Sequence, residues 1–333
     1  MSSVDVAIPC YNYGRFLRDC VGSVVAQAGV DVRVLIIDNC STDDSLSVAR
    51  QLKTDDRRVD VVEHASNRGA TFSYNEGIDW AASDYFLILD ADDLLAPGAL
   101  ARAMAVLDAH PEIGFTHGIE ARLGPGGPGR PARRKAGRSE WVASTGAEFI
   151  ERLCATPVNN IGANTVVRRT AAQKSIGYYR PTLPYTDDLE MWLRLATTGG
   201  VASIRAVQAI RRDHDARMSI YYEDVILRDF TERQAAFESF FANEGRFLAD
   251  APQLLARAKH GLGAHAYWSA VSHICRGDRA RGLQLLRFAH QRRPRAAHLP
   301  PLRWLLQMDR PAGRMMEIAS DALGSWVKGT ARR

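Results

Sequence analysis

The sequence predicts an α/β fold, a mostly parallel sheet with helices on both faces, followed by an all-α C-terminal region. Three observations lead there. Short, β-branched apolar runs recur through the first hundred residues, separated by segments with helical spacing. Those runs are apolar almost throughout rather than alternating, which is the pattern of strands buried on both faces. From about Tyr221 the chain reads as helix after helix, broken near Asp250-Ala251-Pro252, Gly277-Asp278, Pro294 and Pro300-Pro301.

Taken in order, residues 4–8 form the first strand and stop at Pro9. A helix over 15–27 follows, with Phe16, Cys20, Val24 and Ala28 at helical intervals. Residues 32–37 form the second strand, ending at Asp38. Ser41 and Asp44 stand at capping-box spacing, Asp replacing the usual Glu, before a helix through about Leu52. A third strand over 59–63 leads through Asn67-Arg68-Gly69 into a helix over 73–82, and a fourth over 85–89 runs straight into Asp90-Ala91-Asp92-Asp93. Ligands of such sheets sit beyond the carboxyl ends of the strands. Residues 9–12, Asp38-Asn39 and 90–93 are therefore expected on one rim. Residues 121–140 are rich in Gly, Pro and Arg and read as a basic loop, either a solvated insertion or a flap over a phosphate-bearing substrate. Regularity returns over 141–153, another helix opens at 189–197, and 266–294 reads as a helical hairpin turning at Gly277-Asp278. Two domains are expected, 1–220 and 221–333.

With 46% hydrophobic and 24% charged residues in a chain of 333, wholesale disorder is excluded. No apolar run approaches the ~18–20 residues of a membrane span, and the first residues lack the layout of a signal peptide, so a cytoplasmic protein is expected. The five cysteines are odd in number and form no C-x-x-C pair, which argues for reduced thiols. Charge is unevenly spread. Residues 1–120 carry 9 Lys/Arg against 19 Asp/Glu, whereas residues 251–333 carry 15 against 4. An acidic front half suits a metal site, and a basic tail suits an anionic partner.

Asp90-Ala91-Asp92-Asp93 puts three carboxylates within four residues. They repel one another unless a cation sits among them, so the segment invites a hard divalent ion, Mn²⁺ or Mg²⁺, which commonly takes its remaining ligands from phosphates. The plainer reading is an acidic loop, or an Asp capping the helix that follows Pro97.

Five segments in order then carry a resemblance. They are Val-Ala-Ile-Pro-Cys-Tyr-Asn (6–12), Ile-Ile-Asp-Asn-Cys-Ser-Thr-Asp (36–43), Asn67-Arg68-Gly69 through Asn75-Glu76-Gly77-Ile78, Leu-Asp-Ala-Asp-Asp-Leu-Leu-Ala-Pro (89–97) and Thr-Asp-Asp-Leu-Glu-Met-Trp-Leu-Arg-Leu (186–195). Together they resemble the family-2 inverting glycosyltransferases of the GT-A fold, over residues 4–218 or so. The resemblance implies that 1–220 is a catalytic, nucleotide-sugar-binding domain and 221–333 a helical addition. It implies that Pro9, Tyr11 and Asp38 border the base and ribose of a UDP- or dTDP-sugar, with Asn39 and Arg68 beside them. Asp90, Ala91 and Asp92 would address ribose, metal and diphosphate, Asp93 would lie close to the donor sugar, and Asp188 would be the catalytic base, with Asp187 its rival. The chain departs from the usual pattern at two positions, Asn39 and Tyr74, where many members carry an acid and a base.

His214, in a segment that in related enzymes folds over the donor, would complete the metal shell with Asp90 and Asp92; a surface histidine beside two aspartates is the alternative. Trp192 and Tyr185 are weighed as stacking platforms for an acceptor sugar against plain core. Arg276, Arg279, Arg281, Arg287, Arg292, Arg293, Arg295 and Arg303 surround Leu283, Leu285, Leu286, Phe288, Leu302, Trp304, Leu305 and Leu306, and 315–333 mixes apolar and basic residues. That pattern suits either a solvated helical face or peripheral contact with an anionic membrane, on its inner face, where a lipid-linked or glycan acceptor would be met. Two rival functions stay open here, a sugar-phosphate nucleotidyltransferase and a polyanion-binding protein. The first expects a Gly-rich phosphate loop after strand one, which is absent. No recognised nucleic-acid motif appears, so no nucleic-acid partner is expected.

Overall fold

The structure is a computed structural model that describes residues 2–124, 140–214, 226–294 and 300–303, the backbone of Gly127 and Pro128, and positions 313, 316 and 320. The chain divides into two compact units, Met1–Phe149 with Asn160–Arg217, and Ile150–Asn159 with Met218–Arg333. The excursion of residues 150–159 into the second unit is absent from a division at 220.

In the first unit β1 (Ser3–Cys10), β2 (Asp31–Asp38), β3 (Val59–Glu63) and β4 (Tyr85–Ile88) alternate with α1 (Gly14–Val25), α2 (Ser45–Asp55) and α3 (Ala70–Trp80). There follow β5 (Leu94–Leu95), α4 (Ala99–Ala109), β6 (Ile113–Gly124), β7 (Gly127–Pro128), β8 (Trp141–Ser144) and α5 (Gly146–Ala155), whose residues from Ile150 on belong to the second unit. A single 3₁₀ turn (Ala163–Thr165), β9 (Val167–Arg169), α6 (Thr170–Ile176), α7 (Asp187–Leu195) and β10 (Gly200–Arg212) complete it. Among the described residues the ten strands form one sheet in the order β3-β2-β1-β4-β9-β6-β10-β5, with β7 beside β6 and β8 beside β10. The long ladders, β1 with β2 and β4, β2 with β3, and β6 with β10, are parallel. The antiparallel pairings made by β5, β7, β8 and β9 are short.

Both faces of the sheet are covered, which is why β1 is apolar without alternation. Val4, Val6 and Ile8 join Leu17, Cys20, Val21 and Val24 of α1 in one buried cluster. Ala7 points the other way, at Gly77 of α3, where a Cβ would lie 2.6 Å from the Ala7 methyl. Only glycine lets α3 come that close. The region expected to be a loop from 121 is still strand as far as Gly124, paired to β10; of the rest, 125–139 lies outside the described residues apart from β7.

Asp5 sits on the α3 side of β1, fully buried. Its carboxylate accepts two bonds from Arg33, Nε at 2.8 Å and Nη2 at 2.7 Å, and three more from Ala82 N, Ser83 N and Ser83 Oγ. Burial pushes the acid up, but these bonds outweigh it and its pKa is lowered. Asp5→Ala is expected to cost about 1–3 kcal/mol, because it strands the Ala82 and Ser83 donors while Arg33, half exposed, can turn to water; the loss is read as a lower urea midpoint. Because the native pKa lies below the unfolded one, the contribution is present above pH ~4 and fades as pH falls through the native value, so the gap between wild type and variant should narrow in acid. An unchanged urea midpoint would remove Asp5 from the stabilising network.

The second unit contains α8 (Ile226–Ala242), a 3₁₀ turn (Glu244–Phe247), α9 (Ala251–Cys275) and α10 (Arg279–Arg292). Phe230, Phe237, Phe240, Leu262, Leu285 and Phe288 are buried in it. The α9–α10 hairpin turns where the sequence places the turn: Gly277 has φ +90°, a conformation glycine adopts without strain, and Asp278 caps α10 by accepting from Arg281 N at 3.1 Å. Pro157 packs against Gly261 of α9, where a Cβ would stand 2.7 Å from the proline ring. Leu285 and Phe288 thus face inward, while Leu283, Arg279, Arg281 and Arg287 are exposed. Arg295, Trp304, Leu305, Leu306 and nearly all of 315–333 lie outside the described residues. No helix among the described residues is long and apolar enough to cross a membrane.

Candidate functional site

The register Cys10↔Asp38 ends β1 and β2 side by side, and β4 on the other flank of β1 leads directly to Asp90. The three polar clusters therefore share one rim. After β1 the chain reverses through Asn12, at φ +61°, a left-handed position that Asn tolerates. Asn12 Oδ1 accepts from Thr42 N at 2.7 Å, and Asn12 N donates to Ser41 Oγ at 3.1 Å. Ser41 is spent on this loop, so the capping box expected from its spacing with Asp44 does not form. Asp43 does the local work instead, accepting from Ser45 N and from Gly14 N.

Asp38 is buried; its Oδ2 accepts from Ser41 N, whereas Oδ1 has no hydrogen-bond partner among the described residues. Asn39 is locked. It accepts at Oδ1 from Arg68 N (2.8 Å), meets His64 Nδ1 there (2.9 Å), and donates from Nδ2 to Asn67 Oδ1 (3.0 Å). His64, in turn, reaches Glu76 through Nε2 at 2.7 Å. Asn39 is thus a brace for the Asn67-Arg68 turn. Arg68 is exposed with its guanidinium over the Phe72 ring, Tyr11 is exposed, and Pro9, in β1, is half-buried. Ala91 is buried, with its methyl in the core.

Asp90, Asp92 and Asp93 each bring a carboxylate oxygen to within 4.8 Å of the others. Asn164 Nδ2 donates to Asp90 Oδ2 (3.1 Å) and Asp93 Oδ2 (2.6 Å), while Asn164 Oδ1 accepts from Asp90 N (2.8 Å). Arg212 N, at the end of β10, donates to Asp93 Oδ1 at 2.9 Å. Two residues on, His214 Nε2 lies 2.9 Å from Asp92 Oδ2, its ring packed on Phe16 and Tyr13 and its buried Nδ1 without a partner among the described residues. Burial, reinforced by the neighbouring carboxylates, holds Asp90 and Asp93 well above the usual carboxylate range. Clustered hard oxygen donors of this kind fit Mg²⁺ or Mn²⁺.

Asp187 and Asp188 open α7, where the helix dipole favours negative charge. Asp188 N donates to Asp187 Oδ1, and Asp188 Oδ1 accepts from Leu189 N. Burial pushes Asp187 up to about 7, and the charges of Asp188 and Asp90 add to the shift. Tyr74 feels the same group: burial and then the charges of Asp90, Asp187 and Asp188 hold its phenol well above its usual range. The α7 acids and the acidic loop after β4 therefore lie within one electrostatic field. Trp192 is fully buried and stacks with Phe115, which settles it as core, and Tyr185 is half-buried.

A raised carboxylate binds more protons folded than unfolded between pH ~4 and its native pKa, so it removes stability as pH rises through that window. The metal-free protein is expected to melt lower at pH 8 than at pH 5, and Asp187→Asn to flatten that slope. Melting curves at the two pH values check this, and an identical slope in the variant would contradict it.

Sequence reasoning did not identify Asn164, Arg212 as a backbone donor, or Glu120, whose charge adds to the field at Asp90 and Asp93.

The sequence profile described as glycosyl transferase family 2 matches residues 5–176. The chain belongs to glycosyl transferase family 2. Relatives within family 2 include an uncharacterized glycosyltransferase of Nostoc sp., 32% identical over 119 residues, which are 35% of this chain and 36% of that protein. The putative teichuronic acid biosynthesis glycosyltransferase TuaG of Bacillus subtilis is 34% identical over 90 residues, 27% of this chain and 36% of TuaG. The alignments thus span little more than a third of either relative. Among solved structures, S. aureus TarS 1–349 in complex with UDP-GlcNAc superposes with a TM-score of 0.62 at 16% identity, over 98% of this chain and 92% of that one. The mannosyltransferase PcManGT from Pyrobaculum calidifontis, in complex with GDP-Man and Mn²⁺, gives 0.54 at 18% identity over 97% and 87%. The family-2 chain shares their fold, the GT-A type.

Proposed function

We propose that this protein is a metal-dependent inverting glycosyltransferase that moves a sugar from a nucleotide-diphosphate sugar to a hydroxyl of a glycan or lipid-linked acceptor. The observation that carries the reading is the acid trio Asp90, Asp92 and Asp93 with the Asp187-Asp188 pair inside its electrostatic field. Asp90 and Asp92, with His214 alongside, would hold the cation; when bound, a divalent ion offsets the charge that grows on the departing diphosphate. Asp188 takes the acceptor's hydroxyl proton as that oxygen forms its bond to the anomeric carbon. The bond from that carbon to the phosphate oxygen breaks from the opposite face, and its electron pair leaves with the diphosphate. Asp38, whose Oδ1 has no hydrogen-bond partner among the described residues, would border the base or ribose with Pro9, Tyr11 and the Arg68 turn.

TarS in its complex with UDP-GlcNAc supports a pyrimidine nucleotide donor, UDP- or dTDP-linked, and the guanine of GDP-Man in the PcManGT complex is the competing base. PcManGT with Mn²⁺ supports the metal, and the name of TuaG supports polysaccharide biosynthesis. A cytoplasmic enzyme meeting its acceptor at the inner membrane face would present the exposed Arg279, Arg281, Leu283 and Arg287 of α10 to anionic lipid.

A thermal-shift panel of nucleotide-sugars with and without Mn²⁺ tests the reading. One donor should raise the melting temperature, more so with Mn²⁺, and release of nucleoside diphosphate should follow when acceptor is added. A flat panel would overturn it.

A further inference from the structure

Asn164 stands 74 residues from Asp90 in sequence and is buried between Asp90 and Asp93. Its amide has one permitted orientation. Asp90 N–H can only donate, so the atom facing it at 2.8 Å is the Asn164 oxygen, and both hydrogens of Nδ2 are left to the two carboxylates. Asp93 is consequently held at both oxygens: Asn164 donates to Oδ2 and Arg212 N donates to Oδ1. Asp90 and Asp92 are each engaged at one oxygen only, Asp90 Oδ2 by Asn164 and Asp92 Oδ2 by His214. Among the described residues no donor reaches Asp90 Oδ1 or Asp92 Oδ1.

We propose that Asn164 is a positioning residue which clamps Asp93 as a strut between the acidic loop and the end of β10, leaving Asp90 Oδ1 and Asp92 Oδ1 as the oxygens that hold the cation. The inference rests on the metal reading above. It assigns Asp93 to the frame of the site rather than to the donor sugar. An amide is the side chain suited to this place, because it donates to two carboxylates at once without adding charge, and it accepts from the loop backbone with its third polar contact. Partners that hold metal ligands in place typically contribute a factor of 10–100 in metal affinity.

The test is Mn²⁺ binding by the full chain without nucleotide, followed as loss of the free-ion EPR signal, with the melting temperature of each metal-free protein as a control for folding. Asn164→Ala is expected to weaken Mn²⁺ about 10–100-fold. Asp93→Asn is expected to weaken it as well, since it sets an amide against the Asn164 amide, donor against donor. The double variant should bind more tightly than either single one, because the amide introduced at 93 still accepts from Arg212 N and can donate to Asp90 Oδ2 in place of Asn164. A role confined to stability would lower melting temperatures without that reversal. Should Asn164→Ala not fold, Asn164→Ser, whose hydroxyl is too short to reach both acids, replaces it. Wild-type affinity in the Asn164 variant, or a double variant weaker than both single ones, would overturn the assignment while leaving the metal reading intact. A wild type that leaves the Mn²⁺ signal unchanged would overturn the metal reading and the assignment with it.

Discussion

Asp188→Asn is expected to bind nucleotide-sugar as tightly as wild type while transferring sugar about 10²–10⁴-fold more slowly, the range a positioned general base contributes. The replacement is close to isosteric, and its side-chain oxygen can still accept the Leu189 N–H that Asp188 Oδ1 accepts at 2.6 Å, so the first turn of α7 should survive. What it loses is the capacity to take a proton. Titration calorimetry would report donor affinity and nucleoside diphosphate release would report turnover. Near-normal turnover would remove Asp188 from the mechanism; a loss found in Asp187→Asn instead would move the role one residue along.

Asp92→Ala carries the second large effect. Donor binding should lose its dependence on Mn²⁺, with the apparent metal affinity falling by at least about 10²-fold, more than an outer partner contributes. Melting of the metal-free variant should be no lower than wild type, because the change removes one of three carboxylates crowded within 4.8 Å. That combination separates lost binding from lost folding. A variant whose donor-induced shift still grows with Mn²⁺ would take Asp92 out of the metal shell.

The half of the sheet that is buried on both faces was legible from sequence. Inside β1 and β2 the residues are apolar apart from the paired Asp5 and Arg33 because helices cover both sides, and the polar residues that end each strand mark the rim. The other half was not. β6 carries Gly114, Gly118, His117 and Glu120, and β10 interleaves Arg205 and Gln208 and shifts register three times along β6, so neither shows a clean period of two. At the site, acids announce themselves by clustering in sequence, as Asp90, Asp92 and Asp93 do. Asn164 has no such signal: a lone amide in Ile161-Gly162-Ala163-Asn164-Thr165 acquires its meaning only when the chain returns to a loop 74 residues earlier. The capping box at Ser41 failed for a related reason, since a distant Asn12 competes for the hydroxyl.

Residues 150–159 interrupt one unit and complete the other. The helical unit is therefore no cassette: severing the chain near 218 would leave Pro157 without the glycine notch at Gly261, and grafting α8–α10 onto another scaffold would leave that notch bare. Changes at Pro157 and at Gly261 should therefore be tolerated only in matched pairs.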